Sequence, residues 1–138
     1  MILLDTSGLL AAIDRAQRLH ERAAAVLANA VGPLLLSPFV LAELDYLVST
    51  RVGEAARMRV LDEVARGAFE LQPFAADDVR SARAIIDRHA DLRISLADAS
   101  IAVLALRHRV TDVLTLDERH FRILTAGSRP FRLLPADA

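Results

Sequence analysis

Short apolar runs that alternate with longer helical patterns constrain the fold of this 138-residue chain more than any other feature. The run Ile2-Leu3-Leu4 ends at an aspartate, and similar runs follow at residues 34–36, 112–116 and 131–134. Between them, apolar residues recur at the spacing of three and four that is typical of helices. Strands that alternate with helices of this length predict parallel βαβ units, and hence a three-layer α/β/α sandwich with a mainly parallel sheet.

The punctuation of the chain is consistent with one domain over residues 1–138. Ser37 and Pro38 are expected to begin a helix over 38–50, and Gly67 is expected to end a helix over 53–66. No repeat, linker or low-complexity segment interrupts the pattern. The remaining predicted elements are helices at 7–14, 18–30, 76–89 and 95–109, and a strand at 69–71.

One long uncharged stretch raises the question of a membrane segment. Residues 23–42 carry no charge and are numerous enough to span a bilayer. Gly32-Pro33 and Ser37-Pro38 divide the stretch, so it is interpreted as helix, turn, strand and helix start. The N-terminal apolar run has no basic segment before it. We therefore expect a cytoplasmic protein without signal peptide or membrane helix.

Two missing residue types exclude several kinds of chemistry. The chain has no cysteine, so disulfides, cysteine-ligated zinc and thiol nucleophiles are excluded. It also has no lysine, because all 17 basic residues are arginine. This absence excludes a Walker A loop, a Schiff-base enzyme and a phosphoacceptor receiver domain that needs a lysine near its last strands.

Two acidic residues follow predicted strands directly. Asp5 comes after the first strand, and Asp117 comes after the apolar run that ends at Leu116. Ligands of open α/β sheets bind outside the carboxyl ends of the strands, so both positions favour a functional role. Helix capping is the alternative for Asp5, and a turn or cap is the alternative for Asp117.

Two further acids lie within apolar helical patterns. Glu43 has apolar or aromatic neighbours three and four positions away, which predicts that it lies on the core-facing stripe of its helix. Asp98 lies in a segment that is apolar almost all round. The alternatives are a core glutamate paired with arginine, and a capping box formed by Ser95 and Asp98. Asp45, two residues after Glu43, is expected to be solvated.

If these four acids converge at one edge of the sheet, they form a negative pocket that requires a divalent cation. Carboxylate oxygens without cysteine or histidine favour Mg²⁺ or Mn²⁺ over zinc. The histidines at 20, 89, 108 and 120 are interpreted as surface residues, and only His120 lies where it could reach a substrate.

Four segments of the chain resemble the PIN domain, and more narrowly the VapC toxins of bacterial VapBC toxin–antitoxin modules. They are residues 2–7 (ILLDTS), 37–43 (SPFVLAE), 95–99 (SLADA) and 114–121 (LTLDERHF). The resemblance spans essentially the whole chain. It implies that Asp5, Glu43, Asp98 and Asp117 form an acidic catalytic and metal-binding quartet, without departure from the family pattern. It also implies supporting roles for Thr6, Ser7 and Thr115.

The resemblance implies a Mg²⁺-dependent endoribonuclease, with Mn²⁺ as an alternative metal, that inhibits translation as the toxin of a type II module. Its partners would be a VapB-like antitoxin, a second copy of the chain and RNA, with DNA reached only through the antitoxin. Residues 43–48 and 67–71 look closest to members that cut the sarcin–ricin loop of ribosomal RNA, whereas other members cut tRNA. The alternatives are a housekeeping RNA-processing nuclease of the same fold and a non-catalytic PIN-like binding module.

The charge balance is modest for a protein that binds RNA, with a pI near 6.4. Setting aside the four pocket acids leaves 14 acidic residues against 17 arginines. The candidate contacts to the RNA backbone are Arg51, Arg57, Arg59, Arg119 and Arg122. A groove for the antitoxin is expected along Leu9, Ala12, Ile13, Leu44, Leu47 and Val48.

Overall fold

Five short strands form one parallel sheet in the order β3-β2-β1-β4-β7, in a computed structural model that describes residues 1–138. The sheet strands are β1 (Ile2–Leu4), β2 (Leu34–Leu36), β3 (Glu70–Leu71), β4 (Asp112–Leu114) and β7 (Arg132–Leu134). In the register, Leu4 lies opposite Leu36 on one side and Leu114 on the other. The parallel sheet predicted from the alternating pattern is confirmed.

Seven α-helices flank the sheet. They are α1 (Thr6–Ile13), α2 (His20–Ala28), α3 (Pro38–Arg51), α4 (Glu54–Ala65), α5 (Ala76–Arg88), α6 (Leu96–His108) and α7 (Glu118–Phe121). Six of them coincide with predicted helices to within one or two residues at most ends. Every helix is too short or too polar to cross a bilayer, in agreement with the interpretation of residues 23–42 as several elements.

Three small elements were not predicted. They are α7, a 3-10 turn at Ala90–Leu92, and an antiparallel hairpin of β5 (Thr125–Ala126) with β6 (Arg129–Pro130). Elements of two to four residues contain less than one full period of an apolar pattern, so the sequence offers little to detect. Strand β4 ends at Leu114 rather than at Leu116.

Two predicted helix starts are present with their hydrogen bonds. The Ser37 hydroxyl accepts a bond from the Phe39 amide at 3.2 Å, and Pro38 occupies the first position of α3. The Ser95 hydroxyl accepts a bond from the Asp98 amide at 3.0 Å at the start of α6. These bonds satisfy backbone amides that have no partner within the first turn of a helix.

The core is aliphatic and centres on the strands and on α6. Leu3, Leu4, Leu36 and Leu114 are completely buried, as expected for a parallel sheet that is covered on both faces. Almost every residue of α6 from Ala97 to Ala105 is buried too. This packing holds β1 beside β4, and the Asp5 amide donates to the Leu114 carbonyl at 3.0 Å. The segments that follow β1 and β4 therefore leave the sheet at the same edge.

Gly8 permits the closest approach between α1 and the sheet. A Cβ atom at this position would lie 2.4 Å from the carbonyl oxygen of Leu114, which is backbone and cannot move aside. Any side chain here would push α1 away from β4. The glycine thus keeps the first turn of α1, with the residues around Asp5, against the end of β4.

Candidate active site

A cavity of about 370 Å³ opens at the carboxyl edge of the sheet, between the residues that follow β1 and β4. All four acids predicted from the sequence line it: Asp5, Glu43, Asp98 and Asp117. The structure therefore brings together carboxylates that lie up to 112 positions apart in the chain. This is the edge at which ligands of open α/β folds bind.

Asp5 is the most buried of the four acids, with 4% of its surface exposed. Its Oδ2 accepts hydrogen bonds from Ser7 Oγ at 2.7 Å and from Thr115 Oγ1 at 2.6 Å. Although Asp5 occupies the N-cap position of α1, its side chain makes no capping bond. The capping alternative for Asp5 is therefore wrong, and its carboxylate forms part of the cavity wall.

Burial raises the pKa of Asp5 to about 6. The hydrogen bonds from Thr115 and Ser7 oppose this rise because they stabilise the charged form, while the charge on Asp98 adds to it. The net rise shows that the two hydroxyls do not fully replace the lost hydration. A cation in the cavity would supply the missing compensation.

The two hydroxyls also connect the ends of β1 and β4. Ser7 Oγ and Thr115 Oγ1 are 3.2 Å apart, Ser7 Oγ accepts from the Leu116 amide at 2.9 Å, and Thr115 Oγ1 accepts from the Asp117 amide at 2.9 Å. The network ties Asp5 to the backbone that carries Asp117. Ser7 and Thr115 thus lie where the resemblance placed their supporting roles.

Thr6 differs from its neighbours because its hydroxyl has no partner. The side chain is buried, lines the cavity and leaves Oγ1 without a hydrogen bond. A buried hydroxyl without a partner costs about 1–3 kcal/mol, so this orphan atom indicates that a bound group or water completes the site.

Asp98 and Asp117 each combine a structural bond with a position in the cavity. Asp98 Oδ2 accepts a long bond of 3.4 Å from the Ser95 amide, and Asp117 Oδ1 caps α7 by accepting from the His120 amide at 3.0 Å. The capping alternatives for both acids are therefore present, yet they leave carboxylate oxygen free. Burial raises the pKa of Asp98, and the Ser95 amide opposes that rise.

His120 joins these two acids, which corrects its interpretation as a surface residue. Its Nδ1 lies 3.0 Å from Asp98 Oδ2 and 3.0 Å from Asp117 Oδ2, and the side chain is only 18% exposed. The single turn of α7, which begins after Asp117, returns His120 toward the cavity. The sequence did not reveal this because α7 is too short to show a helical period.

Glu43 lines the cavity, but the prediction that it faces the core is wrong. It is exposed, and its side chain makes no hydrogen bond or ion pair. The core-facing stripe of α3 consists of Val40, Leu44 and Val48. Glu43 is one position, about 100°, away from that stripe, at its border with the cavity.

Two of the arginines predicted to contact RNA are engaged elsewhere. Arg57 binds both oxygens of Asp45, at 2.6 and 3.1 Å, and also Glu54. Asp45 is therefore paired and partly buried, not solvated as expected. Arg122 binds Glu118 and Asp137 in the same way.

Arginines without acidic partners remain near the site. Arg51 lines the cavity as a candidate named from the sequence, and Arg59 and Arg119 are exposed without ion pairs. Arg93 also lines the cavity and was missed. It has a left-handed backbone, with φ of 52°, in the turn before α6. Arg109, at the end of α6, shares that backbone conformation, so it is the position of Arg93 in the cavity wall that distinguishes it.

The groove expected for an antitoxin is only partly accessible. Leu9, Leu44 and Val48 are completely buried and cannot contact a partner. Ala12, Ile13 and Leu47 are partly exposed. The error arises because the apolar spacing of α1 and α3 marks one continuous stripe, whose inner half packs against the core.

The donor set suits a divalent metal ion. Ligand atoms of Asp98, Asp117 and His120 lie within 4.8 Å of one another. Asp5 is close enough for its pKa to respond to Asp98, and the Thr6 hydroxyl lies in the same wall. The set of oxygen donors expected from the sequence is thus extended by one imidazole nitrogen. The carboxylates suit Mg²⁺ or Mn²⁺, whereas an imidazole ligand also suits zinc, so the preference over zinc rests on the carboxylates alone.

Comparison with known proteins places these observations in a family. The PIN domain family model matches residues 2–125. Ribonuclease VapC26 of Mycobacterium tuberculosis is 44% identical over 116 residues, which cover 84% of this chain and 86% of that protein.

Two crystal structures share the fold. VapC20 of Mycobacterium tuberculosis, described as a sarcin–ricin loop cleaving toxin, has a TM-score of 0.81 at 21% identity, over 87% of this chain and 92% of its own. FitAcB from Neisseria gonorrhoeae has a TM-score of 0.66 at 26% identity, over 96% of this chain and 97% of its own.

The raised pKa of Asp5 predicts a pH-dependent stability difference. Between about pH 4 and about pH 6 the unfolded chain ionises Asp5 before the folded protein does, so this group destabilises the folded state as pH rises. We expect Asp5→Asn to raise the free energy of unfolding of the metal-free protein at about pH 7, by up to about 3 kcal/mol. Little gain is expected below about pH 4. Urea denaturation in EDTA at both pH values measures the difference.

Asp87→Asn is the control for that comparison, because Asp87 is exposed and forms no side-chain bond. Its unfolding free energy should follow that of the unmodified protein at both pH values. A destabilised Asp5→Asn protein at neutral pH would show that the carboxylate is a net structural asset and would contradict the prediction.

Proposed function

Because the chain belongs to the PIN domain family, we propose that it is a metal-dependent endoribonuclease and the toxin of a type II toxin–antitoxin module. The observation that carries the proposal is the convergence of Asp5, Glu43, Asp98 and Asp117 in one cavity at the carboxyl edge of the sheet. The 44% identity to a protein named ribonuclease VapC26 supports the same activity. The complete acidic quartet argues against a non-catalytic binding module.

The proposed cofactor is Mg²⁺, with Mn²⁺ as the alternative. The proposed ligands are Asp5, Glu43, Asp98 and Asp117, with His120 Nδ1 as a further donor. When bound, such an ion would neutralise charge on the phosphodiester and increase the acidity of water. Four carboxylates alone would repel the same phosphodiester, so the ion is also what allows RNA to enter.

The chain's own residues position the reacting groups. Ser7 and Thr115 fix the orientation of the Asp5 carboxylate, and the same hydroxyls align the backbone at Asp117. Arg51 and Arg93 lie in the cavity wall without acidic partners, where they can hold phosphate oxygens. Water activated by a bound metal ion needs no side chain as covalent nucleophile, so hydrolysis by water is the proposed reaction class.

The proposed substrate is structured RNA, either the sarcin–ricin loop of ribosomal RNA or a tRNA. A housekeeping RNA-processing nuclease of the same fold remains the alternative. The choice between these substrates is a matter of the surface around the cavity, because the acidic quartet itself recognises only a phosphodiester. Mapping of cleavage ends distinguishes the three.

A VapB-like antitoxin is the proposed protein partner, and DNA is reached only through it. We also propose that two copies of the chain associate as a homodimer. For the antitoxin, Ala12, Ile13 and Leu47 form a partly exposed apolar border on α1 and α3, and Leu47 also lines the catalytic cavity. A peptide bound along this border would reach the acidic site.

Cleavage of total cellular RNA by the purified protein tests the enzymatic proposal. With Mg²⁺ we expect discrete fragments, and with EDTA we expect none. Asp5→Asn and Asp98→Asn should each lower the rate by at least about a hundredfold, because electrostatic groups of active sites contribute on this scale. Gel analysis followed by sequencing of fragment ends gives the readout.

Asp87→Asn, on the far surface of α5, is the matched control and should cleave at the rate of the unmodified protein. An Asn variant of the quartet that retains full activity would contradict the assignment of the site. If folded protein freed of antitoxin cleaves nothing, the non-catalytic binding module becomes the better interpretation.

Metal binding gives a second test that does not depend on activity. Isothermal titration calorimetry should detect binding of Mn²⁺ to the unmodified protein. Asp98→Asn should lower the affinity by about tenfold or more, the scale on which metal-site substitutions act. If His120 is a ligand, His120→Gln should weaken binding too. Unchanged affinity in Asp98→Asn would place the metal elsewhere, and unchanged affinity in His120→Gln alone would restrict the ligands to oxygen.

The antitoxin proposal predicts a selective effect of charge at Leu47. Leu47→Asp should abolish co-purification with the VapB-like antitoxin, because a carboxylate buried at an apolar contact lacks a partner. Val31→Asp is the control, since Val31 is 90% exposed and lies in the turn before β2. Co-purification of the VapB-like antitoxin that survives Leu47→Asp would rule out this border as the binding surface.

A further inference from the structure

Three exposed arginines lie on the turn between α1 and α2 and at the start of α2. Arg15, Arg18 and Arg22 line a cavity of about 720 Å³ in which no side chain is apolar. Arg15 and Arg18 form no ion pair, and Arg22 donates only to the Pro135 carbonyl at 3.0 Å. Glu21 is the single acid in the wall. The lining therefore carries a local excess of positive charge.

The turn that carries these arginines is held by local hydrogen bonds. Asp14 accepts from the Ala16 amide at 3.0 Å and from the Gln17 side chain at 3.2 Å. His20 Nδ1 lies 2.8 Å from the Ala11 carbonyl, to which it donates. The guanidinium groups thus project from an ordered backbone, which lowers the entropy lost when they bind a ligand.

This arginine surface adjoins the catalytic cavity. Gln17 lines both cavities, so the two lie side by side. A third cavity of about 230 Å³ lies on the same side, because Leu116 lines it together with Arg18 and Arg22 and also lines the catalytic site. The arginines are therefore neighbours of the acidic quartet, on the side where an RNA strand could leave it.

The electrostatics of the site require such a surface. The acidic quartet is negative. Arg57 and Arg122, two of the arginines predicted to contact RNA, are neutralised by acidic partners. Free cations beside the cavity must therefore hold a polyanion against this repulsion. Because the lining is wholly polar, it suits a phosphate backbone better than a peptide, which would need apolar contacts.

We propose that Arg15, Arg18 and Arg22 form a phosphate-binding surface that holds the RNA strand on one side of the scissile phosphate. The inference rests on the proposed ribonuclease function and specifies how its substrate is bound. Arginine is suited to this task because its planar group donates two parallel hydrogen bonds to phosphate oxygens. The contacts are to the backbone and are therefore independent of base sequence.

The test compares two triple variants that lose the same charge. Arg15, Arg18 and Arg22 are replaced by Gln in one variant, and Arg83, Arg88 and Arg129 are replaced by Gln in the other. The control arginines are also exposed and without ion pairs, but they lie on α5 and on the hairpin, away from the catalytic cavity. Thermal unfolding confirms that both variants are folded.

Binding of a short fluorescein-labelled oligouridylate is measured by anisotropy in the Asp98→Asn background, which prevents cleavage. The first triple variant should bind about tenfold to a hundredfold more weakly at about 0.1 M salt, and the slope of log affinity against log salt should decrease by about 2. In the control variant, the affinity and the salt slope should change only by the small effect of the lower net charge. In the cleavage-competent protein, the first variant should raise KM far more than it lowers kcat.

Equal binding by the two variants overturns the proposal, even if the protein proves to be an active ribonuclease. A loss of kcat with unchanged KM also overturns it, because backbone anchoring acts on substrate affinity. If the unmodified protein binds oligouridylate through these arginines but cleaves no RNA, the phosphate-binding surface stands and the proposed ribonuclease function fails.

Discussion

The structure of the active site depends on one costly arrangement, the burial of the Asp5 carboxylate beside three other acids. Burial alone destabilises the charged form, and the pKa of about 6 records that cost. The hydroxyls of Ser7 and Thr115 offset part of it and at the same time bind the backbone after β4. Neutralising the Asp5 carboxylate by substitution and binding a cation in the cavity would both reduce this electrostatic cost. The burial of Asp5 therefore fits the divalent ion proposed for this site, and it lowers the stability of the metal-free protein.

The same few residues serve the fold and the site. Asp98 accepts from the amide of Ser95, the N-cap residue of α6, and Asp117 caps α7, yet both acids also contact His120 and line the cavity. Gly8 lets α1 pack closely against β4, because a side chain at this position would collide with Leu114 and move α1. Helix capping and a role in the site were treated as alternatives for Asp98 and Asp117, but in this protein the same residue does both. In Asp117, Oδ1 caps the helix while Oδ2 contacts His120; in Asp98, Oδ2 makes both contacts.

The distribution of arginine is compatible with the proposed binding of RNA by a chain with net charge −1. Arg57 and Arg122 form ion pairs with acidic partners on the surface. Those that line or adjoin the catalytic cavity, Arg51, Arg93 and the phosphate-binding surface, have no acidic partner. Local field, not net charge, decides where a polyanion is attracted.

The sequence by itself determined the parallel sheet, six of the seven helices and the identity of the acids that meet at its edge. These follow from local rules, because apolar period, capping residues and strand ends are all read within a few positions. Only the tertiary structure decided that Glu43 is exposed, that Asp45 pairs with Arg57 and that His120 bridges two carboxylates. It also decided which arginines remain free. Such contacts join residues far apart in the chain and depend on side-chain directions that periodicity does not encode.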